Sequence, residues 1–160
     1  MGPARTRNAF AETSLSAWGG WPSWAPLENW RSDPICGGEI PLTCEYRMVR
    51  PSVALIMLGT NDVILQSGVD QFEYYLRQIV QTTVDKGIIP VLYTIPWCWC
   101  GDVTPYNDAV VRTARAFDTP LVDYHTAMEQ AINHGIREDG IHPSSPPDGF
   151  ASNFDSEHLK

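Results

Sequence analysis

A chain of 160 residues has room for one domain and little more, and its 43% hydrophobic content is enough for a real core. A formal net charge of −8, with the acidic residues spread along the chain, argues against a nucleic-acid partner or an anionic membrane surface, since both call for clustered Lys and Arg. No apolar run approaches the roughly 20 residues that span a bilayer, and no apolar signal core follows Arg5 and Arg7.

Residues 1–50 are expected to be irregular. Gly19-Gly20, Pro22, Pro26, Pro34, Gly37-Gly38 and Pro41 punctuate them too often for a long helix or a central strand. Trp18, Trp21, Trp24 and Trp30 also sit here. Flat indoles can stack on sugar rings, but in a long irregular stretch they more often anchor the chain to the core, and packing is the favoured reading. At Pro51 the pattern changes. Ser52 to Leu58 is a short apolar run ending at Gly59, as in a strand buried on both faces. Val69, Phe72, Leu76, Ile79, Val80, Thr83 and Val84 recur at helical spacing, and Lys86-Gly87 supplies the stop. Ile88–Ile95 reads as a second strand, with Pro90 near its start and Pro96 at its end. A helix with Thr104 as N-cap is expected from Pro105 to about Phe117. Leu121–Tyr124 reads as a third strand, His125–His134 as a helix stopped by Gly135, and 138–153 as loop. His125 and His134 are read as helix-end residues. Alternating strands and helices predict a parallel sheet with helices on its faces, with ligands bound beyond the carboxyl ends of the strands.

The cysteines form two local pairs. Cys36 and Cys44 close a Gly-Gly-Glu-Ile-Pro loop and are either a disulfide of an oxidising compartment or two half-buried thiols. Cys98 and Cys100 are read as too close for a disulfide, and nothing stands at zinc-ligand spacing from them. Trp97 and Trp99 alternate with these two cysteines just past a strand end, where one of them can reach a cleft.

Two short stretches carry chemistry. In Gly59-Thr60-Asn61-Asp62, Gly59 permits a tight exit from the strand, and Asn61 presents an amide at the mouth of the sheet. Such an amide can stabilise the oxyanion of an acyl transfer, although Asn-Asp after a strand is also ordinary turn chemistry. In Asp139-Gly140-Ile141-His142-Pro143, a carboxylate three residues before an imidazole can orient it as a general base, and Pro143 biases His142 toward extended geometry. Taken alone, this too is readable as an exposed polar loop.

Both blocks in this order, separated by two β-α units, resemble the SGNH/GDSL hydrolases over about residues 8–144. The resemblance implies a three-layer α/β/α sandwich on a parallel, flavodoxin-like sheet. It implies a serine esterase or lipase that cleaves acyl or carbohydrate esters through a Ser-His-Asp triad. Nothing in the sequence suggests a metal or an organic cofactor. Asn61 matches the family's oxyanion-hole asparagine, with Gly59 and Asp62 completing that block. His142 matches its catalytic base, and Asp139 the triad acid. The partner implied is a small-molecule or carbohydrate ester.

The family's Gly-Asp-Ser nucleophile block does not occur in this sequence. The family's glycine that donates a backbone N–H to the oxyanion finds its best local match in Asn8–Ser14, with Glu12 in the glycine's place. Residues 155–160 read as the start of a final helix that is cut short. The expectation is therefore a partial SGNH-like domain over 1–160, incomplete at the N-terminus. The alternatives are a pseudoenzyme or non-catalytic carbohydrate-binding module on the same scaffold and, more distantly, Ser14 or Ser16 as nucleophile. The compartment stays open. Either the protein is cytoplasmic or its natural N-terminus lies upstream, and a Cys36–Cys44 disulfide would point to secretion of the full-length protein.

Overall fold

A computed structural model describes residues 13–29 and 32–144. The elements are α1 (Pro41–Val49), β1 (Val53–Ile56), α2 (Thr60–Ile64), α3 (Val69–Asp85), β2 (Ile89–Tyr93), α4 (Thr104–Ala116), β3 (Leu121–Val122) and α5 (Tyr124–Glu129). Three strands make a parallel sheet in the order β1-β2-β3. This is the α/β architecture with a parallel sheet that the alternating pattern predicts.

Register explains which face of the sheet is covered. Ala54 pairs with Pro90 and Ile56 with Leu92, so these four share one face. That face belongs to the core, where Ile56 and Leu92 meet Phe72, Leu76, Ile79 and Val80 of α3 and Ala109 and Val110 of α4. Val53 and Leu55, in register with Ile89 and Val91, point the other way. There Val53, Leu55 and Ile89 are exposed, Leu55 at 69%. Among the described residues β1 pairs with β2 alone, so its outer edge lies open. A groove runs along that edge, lined by Ser14, Leu42, Tyr46, Val53, Leu55 and Met57 among others.

Helix α3 buries Phe72, Leu76, Ile79, Val80 and Thr83 of the periodic set, leaves Val69 partly buried and Val84 exposed, and Gly87 (φ 70°) lets the chain turn back into β2 at its end. Pro90 enters β2 at the second position, where its missing N–H removes one ladder bond from the beginning of the strand. Helices α3 and α4 pack along each other, with Arg112 and Glu73 joined across their exposed side.

Several sequence expectations need correction. The stretch read as irregular contains helix α1, because Pro41 occupies its first turn, where a missing N–H is harmless and a fixed φ is favourable. Thr104 is the first residue of α4, and the Asp102 carboxylate accepts its N–H at 2.9 Å. The expected helix at 125–134 breaks after Glu129. A 3-10 turn follows at Ile132–Gly135, with Asn133 and His134 at φ 52° and 53°. The third strand stops at Val122, because Asp123 caps α5 by accepting the Thr126 N–H.

Cys36 and Cys44 are disulfide-bonded, with Cα atoms 5.4 Å apart. Together with Leu15 and Met48 they form a small buried cluster apart from the main core. Helix α1 faces both, giving Leu42 and Tyr46 to the main core and Cys44 and Met48 to the small cluster. The expectations that fall on Asn8–Glu12, on Trp30 and on 155–160 lie outside the described residues.

Candidate active site

Gly59, between β1 and α2, has φ 122°, and a Cβ there would come within 2.4 Å of Ile95 Cδ1 and 3.1 Å of Phe72. Both the dihedral and the close packing therefore require glycine. The exit turns directly into α2, which carries Asn61 and Asp62. Asp62 is buried, and its two carboxylate oxygens accept the Ser23 N–H (2.9 Å) and the Ser23 hydroxyl (2.7 Å). Burial pushes its pKa up, and the Ser23 bonds partly offset this. Asn61 Nδ2 donates to the Trp21 carbonyl at 3.1 Å. An amide nitrogen carries two hydrogens, so one remains for a ligand. Asn61 and Asp62 thus pin Trp21–Ser23 beside the strand end.

Asp139 and His142 sit at the tip of a small hairpin-like loop. Ile136 bridges Pro143, Arg137 N donates to the His142 carbonyl (2.9 Å), and Gly140 N donates to the Arg137 carbonyl (2.9 Å). Inside this turn Asp139 Oδ1 accepts the N–H groups of Ile141 and His142, both at 2.9 Å, while Oδ2 lies 3.0 Å from His142 Nδ1. The backbone bonds from His142 and Ile141, followed by the bond to the His142 ring, hold the Asp139 pKa down at about 2. A carboxylate facing Nδ1 selects the tautomer with its proton there and leaves the Nε2 lone pair outward. The pair is open to solvent, with 69% of the His142 side chain and 44% of that of Asp139 exposed. The loop borders a shallow hollow lined by Arg137, Glu138, Asp139 and Ser144.

The segment after β2 links the two stretches. Trp99 N donates to the Gly140 carbonyl at 2.8 Å, and a Cβ on Gly101 would come within 2.9 Å of Val63 in α2. Asn61 follows the carboxyl end of β1, and the Asp139–His142 loop is fastened to the segment that follows the carboxyl end of β2. Cys98 and Cys100 are disulfide-bonded, against the expectation from their spacing. The turn at Trp99 bows the chain and brings the Cα atoms to 5.2 Å, within the usual range for a bridge. Trp99 itself is 60% exposed, while Trp97 stacks on His134 with ring centroids 4.7 Å apart. His125 is held by its neighbours, its Nδ1 3.2 Å from the Ile95 carbonyl. Ser14 and Ser16 bond to each other, and among the described residues no hydroxyl bonds to the His142 ring.

Sequence reasoning did not find Ser23, the Trp21 carbonyl or the Trp99–Gly140 contact. A buried aspartate after a strand implies donors, but nothing in the sequence says which of many polar groups supplies them.

The fold is an α/β architecture on a parallel sheet, with both motif blocks beyond the carboxyl ends of its strands. The family model for the GDSL-like lipase/acylhydrolase family matches residues 4–146, and the chain belongs to that family. Solved structures with the same fold include an acetylxylan esterase from Geobacillus stearothermophilus (20% identity, TM-score 0.58, covering 78% of this chain and 61% of that one). A GDSL-like lipase from Bacteroides thetaiotaomicron is similar at 22% identity and TM-score 0.56, covering 64% of this chain and 59% of that one. TesA is similar at 21% identity and TM-score 0.56, with the same coverage of 64% and 59%. The chain therefore spans about six-tenths of the length of these structures. No curated protein sequence matches it.

Proposed function

We propose that this chain carries the base, the acid and the oxyanion donor of a serine ester hydrolase, in a single partial SGNH-like domain. The nucleophile would come from a Gly-Asp-Ser strand that the chain does not contain. The observation that carries this reading is the Asp139–His142 pair, bonded at 3.0 Å in a loop fastened by Trp99 to the segment after β2, which packs on Val63 of α2, the helix that carries Asn61. In this mechanism His142 Nε2 takes the serine proton as the hydroxyl oxygen attacks the ester carbonyl, and Asp139 stabilises the resulting imidazolium. Asn61 donates its second amide hydrogen to the oxyanion. His142 then returns the proton to the departing alcohol, and water cleaves the acyl-enzyme by the same route in reverse. The substrate is a small-molecule or carbohydrate ester. Membership of a lipase/acylhydrolase family and likeness to an acetylxylan esterase support that class. The openness of the Asp139–His142 loop supports a site that a further segment covers.

Hydrolysis of a short activated ester tests the reading. The chain as it stands should turn over no faster than its His142→Ala variant. Joined to a β-strand ending in Gly-Asp-Ser, it should gain an activity that His142→Ala abolishes and Asn61→Ala lowers by about 10²–10³ in kcat. Robust turnover by the chain alone that disappears in Ser14→Ala or Ser16→Ala would relocate the nucleophile and overturn the proposal.

A further inference from the structure

The turn closed by Cys98–Cys100 lies between the two halves of the site. On one side Gly101, at φ 150°, packs so closely on α2 that a Cβ would meet Val63. On the other, Trp99 N holds the Gly140 carbonyl, and a Cβ on Gly140 would lie 2.6 Å from Trp99 Cε3 and 2.8 Å from Cδ2. Gly140 is buried between the exposed Asp139 and the half-buried Ile141, so the Trp99 main chain and ring grip the loop at its centre. Trp99 itself, at the crest of the turn, is 60% exposed. Cys98 is buried in the core and Cys100 is partly buried against it, so the disulfide clamps both ends of the turn and fixes the exposed Trp99 between them.

We propose that the Cys98–Cys100 disulfide turn is the positioning element for the Asp139–His142 pair, and that a dithiol reductant releases the pair by opening it. This inference rests on reading His142 as the general base. A thiolate of the reductant attacks the partly exposed Cys100 Sγ. The S–S bond breaks, and Cys98 leaves as a thiolate that takes a proton from water. The second thiol of the reductant then attacks the mixed disulfide, closes its own disulfide and frees Cys100. The cysteine pair gains two electrons and two protons, and the dithiol loses the same. With the turn open, Trp99 no longer has one fixed place from which to hold Gly140.

NMR of the intact chain tests this without any ester turnover, so a failed esterase reading and a failed positioning role are told apart. In the oxidised protein the Ile141 and His142 amides should be protected, and Asp139 should titrate at about 2. In the Cys98→Ser/Cys100→Ser variant, which keeps Cys36–Cys44, both amides should exchange at least about tenfold faster. The Asp139 midpoint should also move toward the ordinary 3.8. Amides of α3 and α4 should keep their protection. Dithiothreitol should produce the same changes at these residues in the parent chain and none further in the double variant. Gly140→Ala, which crowds Trp99 without touching either cysteine, should loosen the same two amides. Unchanged exchange and an unchanged Asp139 midpoint in the double variant would overturn the proposal. So would a loss of protection spread evenly through α3 and α4, because the disulfide would then serve the fold and not the pair.

Discussion

At Asp139 three hydrogen bonds from within one turn converge on a single exposed carboxylate. Because its folded pKa of about 2 lies below the ordinary 3.8, the stabilisation it provides is present above pH 4 or so and is lost as the pH falls toward 2. Melting temperatures of the parent chain and Asp139→Asn should therefore differ at neutral pH and converge near pH 2. Asp62 titrates in the opposite sense. Burial raises its pKa, so its contribution is greatest in acid and declines as the pH rises through the folded value. Ser23→Ala deletes the donor to Asp62 Oδ1 and should lower stability at neutral pH by roughly 1–3 kcal/mol. Urea titration should show most of that loss recovered once the carboxyl is protonated. Asn61, Asp139 and His142 were visible in the sequence because their chemical types and short spacings are local. Their partners were not, since Ser23 and Trp21 lie 39 and 40 residues from the side chains they hold.

Among the elements, β1, α3 and β2 were legible because period, length and stop signals all lie within a few residues of one another. Helix α1 was hidden by a proline whose meaning depends on whether it starts a helix or interrupts one. The Cys98–Cys100 bridge was missed because sequence separation says nothing about how sharply a turn bows. The exposure of β1 could not be read either: Val53–Leu58 looks like a strand covered on both sides, yet Val53, Leu55 and Met57 stand in the open beside an edge that is unpaired among the described residues. An edge of that kind recruits other strands. The chain should self-associate in a concentration-dependent way, and Leu55→Lys should shift sedimentation toward monomer. Equal sedimentation of the two proteins would mean that the edge is protected.

Taken whole, the molecule has a well-packed face and an uncovered one. Burying a large aliphatic side chain contributes about 1.5–3 kcal/mol, against a total stability of roughly 5–15 kcal/mol. Leaving Val53, Leu55 and Ile89 in water therefore removes a large share of the margin. Thermal melting of the chain should be broad or accompanied by aggregation, and adding a strand along β1 should sharpen and raise the transition. A sharp, reversible, monomeric transition at ordinary mesophilic temperatures would show that the uncovered face is tolerated, and would favour a binding module over a split hydrolase. The family and its sheet were legible because two motif blocks and the elements between them share one order. The open face was not, since it depends on what packs there.

The small cluster of Leu15, Cys36, Cys44 and Met48 forms a second, smaller unit of buried residues beside the main core, and the opposite faces of α1 join the two. The smaller unit has few apolar contacts, and its Cys36–Cys44 loop closure supplies about 2–3 kcal/mol. A protease offered the native protein should therefore nick first between residues 13 and 40, leaving α3, β2 and α4 as a resistant remnant. The Trp21–Ser23 strap that holds Asn61 lies within that early-cut stretch, so the oxyanion donor would be set free while the rest of the sheet still stood.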